Sequence, residues 1–372
     1  MKHSPSHLRL FVIIICMLMG AQLSAAPVSQ AAKRKISRRA RTHASSARTG
    51  VPTYANSAKG DVTDYDDPVV RSAAVQALGR YNGSVVAIDP TDGRILSIVN
   101  QKLAFSAGFI PCSTIKPVIA IAALQEGVVT RDTMIRVAPR RYLNLIEAMA
   151  HSNNAFFEEL GRRLGFANVS RYAHLLGLGE AAGYDLPEEH PGTLPSAPPE
   201  NGGVARMSSF GEGIRMTPLQ LGALVSTLAN GGTLYYLQYP RTAEEQEDFR
   251  PRVKRTLNIA SLLPEVRDGM LAAVLYGTAR GSYISDDEQA LGKTGTCSDS
   301  SSRIGWFVSY ADQANPKIVL VVLMRGHSRQ VRGPMAAAVA GRIYRRLNEE
   351  NYFAEAKTET PMPPQRTSGS SQ

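Results

Sequence analysis

Cysteine and tryptophan are scarce, at 3 and 1 in 372 residues, and the seven histidines show no metal-ligand spacing with those cysteines. A metal centre or other cofactor is therefore not expected. No acidic residue occurs in residues 1–48, which hold Lys2, Arg9, Lys33, Arg34, Lys35, Arg38, Arg39, Arg41 and Arg48 and so carry nine of the ten net positive charges. The rest of the chain is close to neutral. A pI near 9.6 consequently says little about the folded part. Nucleic-acid binding is not expected, because the charge is not spread over a domain surface. Long apolar runs are also missing: residues 10–21 form a stretch of 12, against the roughly 20 that a relaxed membrane-spanning helix requires.

What is present is an ordinary globular composition, 43% hydrophobic and 20% charged, enough for a sizeable core. Lys2 and Arg9 ahead of the apolar stretch, with Ser24-Ala25-Ala26 after it, read as an export signal over residues 1–26, cleaved near Ala26. Left uncleaved, it would hold the chain at the inner membrane. Cys16 follows Ile15 rather than a small residue, which argues against lipidation. Residues 27–60 are rich in Ala, Ser, Arg and Lys without a hydrophobic period and read as a basic flexible linker. Such a segment can adhere weakly to anionic lipid or wall polymer. Residues 353–372, with Pro361, Pro363, Pro364 and a closing Ser-Gly-Ser-Ser, read as a disordered tail.

Residues 61–352 lie between as one continuous domain. Asp67-Pro68 opens an amphipathic helix to about Tyr81. Residues 84–89 and 94–100 are β-rich and joined by Pro90-Thr91-Asp92-Gly93, a hairpin pattern. A helix starts near Ser113 and stops at Gly127, and further helical segments fill 140–180, 217–231 and 258–279. Strands return around Lys293, at 304–310 and at 318–324, before a last helix from Pro334 to about Leu347. Strands at both ends with helices between predict an α+β fold: an antiparallel sheet flanked by helices, with an inserted, mainly helical subdomain.

Three short patterns carry chemistry. In Ser113-Thr114-Ile115-Lys116 the hydroxyl and the amine lie three residues apart, on one face of a helix. Serine is a poor nucleophile until a base takes its proton, and Lys116 is such a base only when neutral, a state that burial and a second cation both favour. Ser152-Asn153-Asn154 offers a second hydroxyl for proton relay and an amide to hold a peptide carbonyl; the same residue types also make helix caps. Lys293-Thr294-Gly295-Thr296 begins the C-terminal strands. Its glycine permits close approach of another backbone, and a peptide could pair along this edge. The N–H groups of Thr296 and Ser113 are candidates for an oxyanion hole.

In that order the three patterns are those of penicillin-binding proteins and class A β-lactamases, and the chain resembles the penicillin-binding transpeptidase domain over nearly all of 68–347. Pro111-Cys112-Ser113-Thr114-Ile115-Lys116-Pro117 is similar to the nucleophile segment of that family. Gly211-Glu212-Gly213, Thr217-Pro218-Leu219-Gln220, Asn230-Gly231-Gly232-Thr233 and Gly277-Thr278-Ala279 match further landmarks. The resemblance implies Ser113 as nucleophile, Lys116 as base, Ser152 as proton relay, Asn154 as substrate clamp, and Lys293, Thr294, Gly295 and Thr296 as the carboxylate-recognising strand. It also implies stem peptides of peptidoglycan as substrates, β-lactams as covalent inhibitors and an extracytoplasmic or periplasmic location. The chain departs from the family in having only 12 residues between Asn100 and Ser113, and in placing Cys112 where the family usually has glycine.

With Cys16 removed in the signal, Cys112 and Cys297 form an even pair in an oxidising compartment. One precedes the nucleophile and the other follows Thr296 on the strand that must face it, so assembly of the site predicts a Cys112–Cys297 disulfide, as in some class A carbapenem-hydrolysing β-lactamases. Four activities remain open: D,D-transpeptidation, D,D-carboxypeptidation, β-lactam hydrolysis, and a non-catalytic β-lactam sensor or scaffold. A class A β-lactamase would use a Glu-x-x-x-Asn loop. Glu188, Glu189 and Glu200 lie in the expected interval, and none has Asn four residues on.

Overall fold

The computed structural model describes residues 50–311 and 317–353. The expected export signal, the linker up to residue 49 and the tail from 354 lie outside the described residues. In chain order the elements are α1 (Pro68–Leu78), β1 (Gly83–Ile88), β2 (Ile95–Val99), α2 (Gln101–Ala104), α3 (Lys116–Gln125), β3 (Ile135–Ala138), β4 (Arg141–Leu143), α4 (Leu145–Ala150) and α5 (Asn154–Leu175). They continue as α6 (Gly203–Phe210), α7 (Pro218–Ala229), β5 (Thr233–Tyr235), α8 (Ala243–Glu247), β6 (Val253–Thr256), α9 (Leu263–Leu275), β7 (Leu291–Ser298), β8 (Arg303–Ala311), β9 (Ile318–Gly326) and α10 (Gly333–Glu349).

Local chemistry sets the boundaries. Asp67 caps α1 by accepting from the N–H groups of Val69 and Val70, with Pro68 at a position whose missing N–H costs nothing. The β1–β2 hairpin turns where Asp89 Oδ1 accepts from Thr91 N at 2.8 Å and Asp92 Oδ1 from Arg94 N at 2.8 Å. Thr217-Pro218-Leu219-Gln220 proves to be a capping box that starts α7. The Gln220 amide also donates to the carbonyls of Glu180 and Pro191, at 2.8 and 2.7 Å.

The main sheet is antiparallel throughout, in the order β2-β1-β9-β8-β7. It joins strands from both ends of the chain, as expected from the sequence. The central strand β9 is apolar at nearly every position because both faces are covered. Its Val319, Val321 and Leu323 pack with the helical side, including Ile119 and Leu224. Its Leu320, Val322 and Met324 pack under α1 and α10 with Val70, Ala340 and Tyr344. Strand β7 lies at the edge of this order, which leaves one side of it facing the helical side of the domain.

Two expectations are corrected. The chain is already packed within the expected linker: Thr53 and Ser57 are buried, Ser57 Oγ donates to Tyr81 O at 2.8 Å, and Thr53 Oγ1 accepts from Ser328 N at 3.0 Å. This strap is held by scattered polar bonds rather than a periodic apolar face, and so has no sequence signature. The segment 112–115 is a 3-10 turn, and the α-helix starts only at Lys116. The short β3–β4 and β5–β6 pairs, α2, α6 and α8 were not expected.

Candidate active site

The first core helix is apolar all round: from Lys116 to Ala123 every residue of α3 is buried. The helix therefore enters the core amine first. The 3-10 turn ahead of it eclipses residues three apart and sets Ser113 over Lys116, with Lys116 Nζ 2.9 Å from Ser113 Oγ. Lys116 donates to two acceptor-only oxygens, Ser152 O at 2.7 Å and Asn154 Oδ1 at 2.8 Å, and lies 3.1 Å from Ser152 Oγ. A neutral amine has two hydrogens and one lone pair. With both hydrogens on these carbonyl oxygens, the lone pair is left for a hydroxyl proton.

Electrostatics favour that state. Burial chiefly, and then the neighbouring Lys293 cation, push the Lys116 amine well below the usual lysine range, while Glu158 acts in the opposite sense. Lys293 is fully buried as well, and burial lowers it to about 7. Its Nζ donates to Ser152 Oγ at 2.8 Å and to Thr294 O at 3.0 Å. Ser152 is thus the hydroxyl on which the two amines converge.

The Ser152-Asn153-Asn154 segment combines a helix cap with contacts to the buried amine. Asn153 caps α5, its Oδ1 accepting from Phe156 N at 3.0 Å, while the next residue, Asn154, reaches Lys116. Ser152 sits at φ +53°, and so does Cys112, the residue before Ser113. Left-handed backbone at a non-glycine residue costs about 1 kcal/mol or more and persists where the surroundings over-determine it. At Cys112 the surroundings include a covalent bond: Cys112 and Cys297 are joined by a disulfide, Cα–Cα 5.7 Å, across 185 residues. The usual glycine of the family would take the same φ freely.

Strand β7 presses against the turn that carries Ser113. A Cβ on Gly295 would lie 3.0 Å from Pro111 O and 3.2 Å from both Thr114 Cγ2 and Trp306 Cβ, so only glycine fits without displacement. Buried Trp306 fastens the same turn from β8, its Nε1 donating to Ile110 O at 3.0 Å. Thr294 and Thr278 share a hydrogen bond between hydroxyls at 2.7 Å. Thr296 Oγ1 accepts from Gly333 N at 2.7 Å, at the start of α10, which leaves the hydroxyl proton free to be donated elsewhere.

Ser113, Lys116, Ser152, Asn154 and Lys293 are therefore brought within one hydrogen-bonded cluster, and Thr294, Gly295 and Thr296 line up on the strand beside it. The sequence reading named Thr278 only as a family landmark, and it missed the part of Glu158 and of Phe157, whose ring lies 5.4 Å from Lys116 Nζ. Glu158 was within reach of spacing arguments, being four residues after Asn154 on one helix face.

Known proteins resemble this chain in sequence and in fold. The family model described as the penicillin binding protein transpeptidase domain matches residues 83–345. The chain belongs to that family. It is 28% identical over 311 residues to stage V sporulation protein D of Bacillus subtilis, covering 72% of this chain and 48% of that protein. It is 24% identical to the probable peptidoglycan D,D-transpeptidase PbpC of Pseudomonas aeruginosa, covering 69% and 51%. The chain thus spans about half the length of these curated relatives. The crystal structure of Pseudomonas aeruginosa PBP2 in complex with WCK 5153 shares the fold, with a TM-score of 0.66 at 22% identity, covering 81% of this chain and 78% of that one. No helix among the described residues is long and apolar enough to cross a membrane.

Proposed function

We propose that this chain is an exported serine D,D-transpeptidase that forms an acyl-enzyme with D-Ala-D-Ala stem peptides during peptidoglycan synthesis. The observation that carries this reading is the Lys116 amine, buried, held by two carbonyl oxygens, and 2.9 Å from the Ser113 hydroxyl. Ser113 Oγ attacks the penultimate D-Ala carbonyl as its proton passes to Lys116. The N–H groups of Ser113 and Thr296 receive the developing oxyanion. The proton then travels through Ser152 to the departing D-Ala amine, which breaks the peptide bond and leaves an ester on Ser113. Attack by an acceptor amine reverses these roles and frees the serine.

Recognition falls to the other residues. Asn154 Oδ1 is held by Lys116, which leaves its amide hydrogens for a substrate carbonyl. Lys293 and the hydroxyls of Thr294 and Thr296 attract the terminal carboxylate. Adducts with β-lactams persist in this reading, because no Glu-x-x-x-Asn pattern lies between the second and third motifs to activate a water over the ester, and two of the glutamates in that interval are held elsewhere. Glu188 pairs with Arg241 at 2.7 Å, and Glu189 accepts from the N–H groups of Ala182 and Gly183. The basic N-terminal stretch suits loose adhesion to anionic lipid or wall polymer.

The test is labelling with a fluorescent penicillin, followed by peptide mapping, and incubation with a D-Ala-D-Ala pentapeptide with and without an amine acceptor. The reading expects a stable adduct on Ser113, lost in Ser113→Ala, and a cross-linked product when acceptor is present. Absence of the adduct in folded protein overturns the enzyme. Release of D-Ala without transfer assigns a carboxypeptidase instead.

A further inference from the structure

The segment that joins β5 to β6, together with residues 184–186, encloses a cavity that shares no lining residue with the catalytic cluster or with strand β7. Its volume of about 150 Å³ leaves room for one six-membered ring. Stacked cations stiffen its walls. The Arg252 guanidinium lies 3.9 Å over the Tyr184 ring, and Arg94, which does not line the cavity, lies 4.2 Å from the centre of the Phe249 ring. Tyr236 supports Tyr184 with ring centroids 6.1 Å apart, and Tyr184 N donates to Leu237 O at 2.8 Å. Tyr184 is nevertheless 44% exposed. A large aromatic held rigidly in water is a contact surface, since it contributes little to the core. The next residue, Asp185, sits at φ +53°, a costly backbone that persists where its surroundings enforce it.

The charged groups of the cavity divide into committed and free. Arg241 pairs with Glu188 at 2.7 Å, and its backbone N–H donates to Glu245 Oε2 at 2.5 Å. Among the described residues, the side chains of Asp185, Asp248 and Arg252 have no hydrogen-bond or ion-pair partner. The cavity thus offers two carboxylates that only accept and one guanidinium that only donates. An anion would meet the carboxylates, and a cation would meet Arg252. A neutral ligand carrying both hydroxyls and amides serves all three groups at once. The negative faces of the aromatic rings suit the polarised C–H groups of a sugar ring. Leu186 and Pro240, both buried in the wall, supply an apolar spot for a methyl group.

We propose that this cavity binds one sugar ring of a neutral N-acetylhexosamine glycan. The ring lies against Tyr184 and Phe249, its hydroxyls donate to Asp185 and Asp248, and the acetamido carbonyl accepts from Arg252. The occupant is the glycan strand that bears the stem peptides; that source alone rests on the transpeptidase reading above. A second point of attachment raises the effective concentration of the stem peptides around the catalytic groove without any contact to the reacting bond.

The experiment is calorimetric titration of the full chain with chitotetraose, and with cellotetraose, in which a hydroxyl replaces each acetamido group. One saturable site is expected for chitotetraose, with cellotetraose weaker by about tenfold. Arg252→Ala, Asp248→Ala and Tyr184→Ala, all at exposed positions, are each expected to weaken chitotetraose by about five- to tenfold. Acylation of the same variants by benzylpenicillin stays at the unaltered rate. Added salt leaves the affinity unchanged, because the ligand carries no charge. Prior acylation of Ser113 leaves it unchanged as well, because the two sites are separate. Absence of chitotetraose binding, equal affinity for the two tetramers, or an affinity untouched by all three variants overturns the sugar site. Loss of binding after penicillin acylation would place the sugar in the catalytic groove and overturns it too. Failure of penicillin acylation with chitotetraose binding intact overturns the enzyme reading and upholds the sugar site.

Discussion

Lys116 and Lys293, both fully buried, address a single hydroxyl, with their amine nitrogens 3.1 Å and 2.8 Å from Ser152 Oγ. Two cations cannot comfortably share so small and dry a space, so proximity and burial together favour loss of a proton from the pair. Lys116, with both its hydrogens committed to carbonyl oxygens, is the better placed to stay neutral.

The rate of acylation by a β-lactam therefore rises with pH as Lys116 loses its proton, with the rise centred well below the ordinary lysine value of 10.5. Lys293→Ala removes one of the two influences that lower Lys116, and the rise moves to higher pH. Glu158→Gln removes the influence that raises it, and the rise moves to lower pH. Stopped-flow acylation over a pH series checks both displacements. Shifts in the same direction would contradict the assignment.

Stability follows the same charges with a definite sign. Lys293 releases its proton near pH 7 in the folded protein, whereas in the unfolded chain it holds the proton to about 10.4. Between these values the unfolded chain binds more protons, so resistance to urea increases with pH from about 7 toward 10. Higher still the trend reverses, because Tyr310, pushed up to about 12 by burial, stays protonated only while folded. Lys293→Met flattens the increase, as denaturation midpoints at several pH values will show.

Loss of the disulfide costs stability, by about 2–4 kcal/mol, through release of a 185-residue loop. The accompanying residue decides how acylation fares. Cys112→Gly with Cys297→Ser relieves the backbone at φ +53°, whereas Cys112→Ala with Cys297→Ser retains about 1 kcal/mol of strain next to Ser113 without the bridge that holds it. Thermal melts and penicillin acylation rates, taken side by side, are expected to rank the glycine pair above the alanine pair in both.

Gly295→Ala tests the close approach of β7. Its new Cβ would stand 3.0 Å from Pro111 O, and moving that turn costs about 1–3 kcal/mol. Acylation is expected to fall by roughly tenfold or more as Thr296 retreats from Ser113. An unchanged rate would show that the turn yields freely.

Much of this was legible beforehand where chemistry and pattern coincide. Asp67-Pro68 announced α1, the Pro90–Gly93 turn announced the first hairpin, and the apolar run at 318–324 announced a strand. The disulfide followed from two cysteines flanking groups that had to meet. What escaped was whatever depends on partners far along the chain. The strap at residues 51–57 is held through bonds to Tyr81 and Ser328, and Thr278 acquires meaning only from the Thr294 hydroxyl. Ser113 was expected on a helix and lies instead in a 3-10 turn, beside a Cys112 at φ +53° that the disulfide ties to strand β7.

The pairing of β9 with both β1 and β8 orders events in time as well as in space. The residues of β9 are made some 200 after Ser113, yet they join the first hairpin to β8, the partner of the strand that carries Lys293. Until that late segment emerges, serine and edge strand belong to separate pieces. A half-made chain therefore lacks the assembled cluster, which arrives all at once with the closing of the sheet.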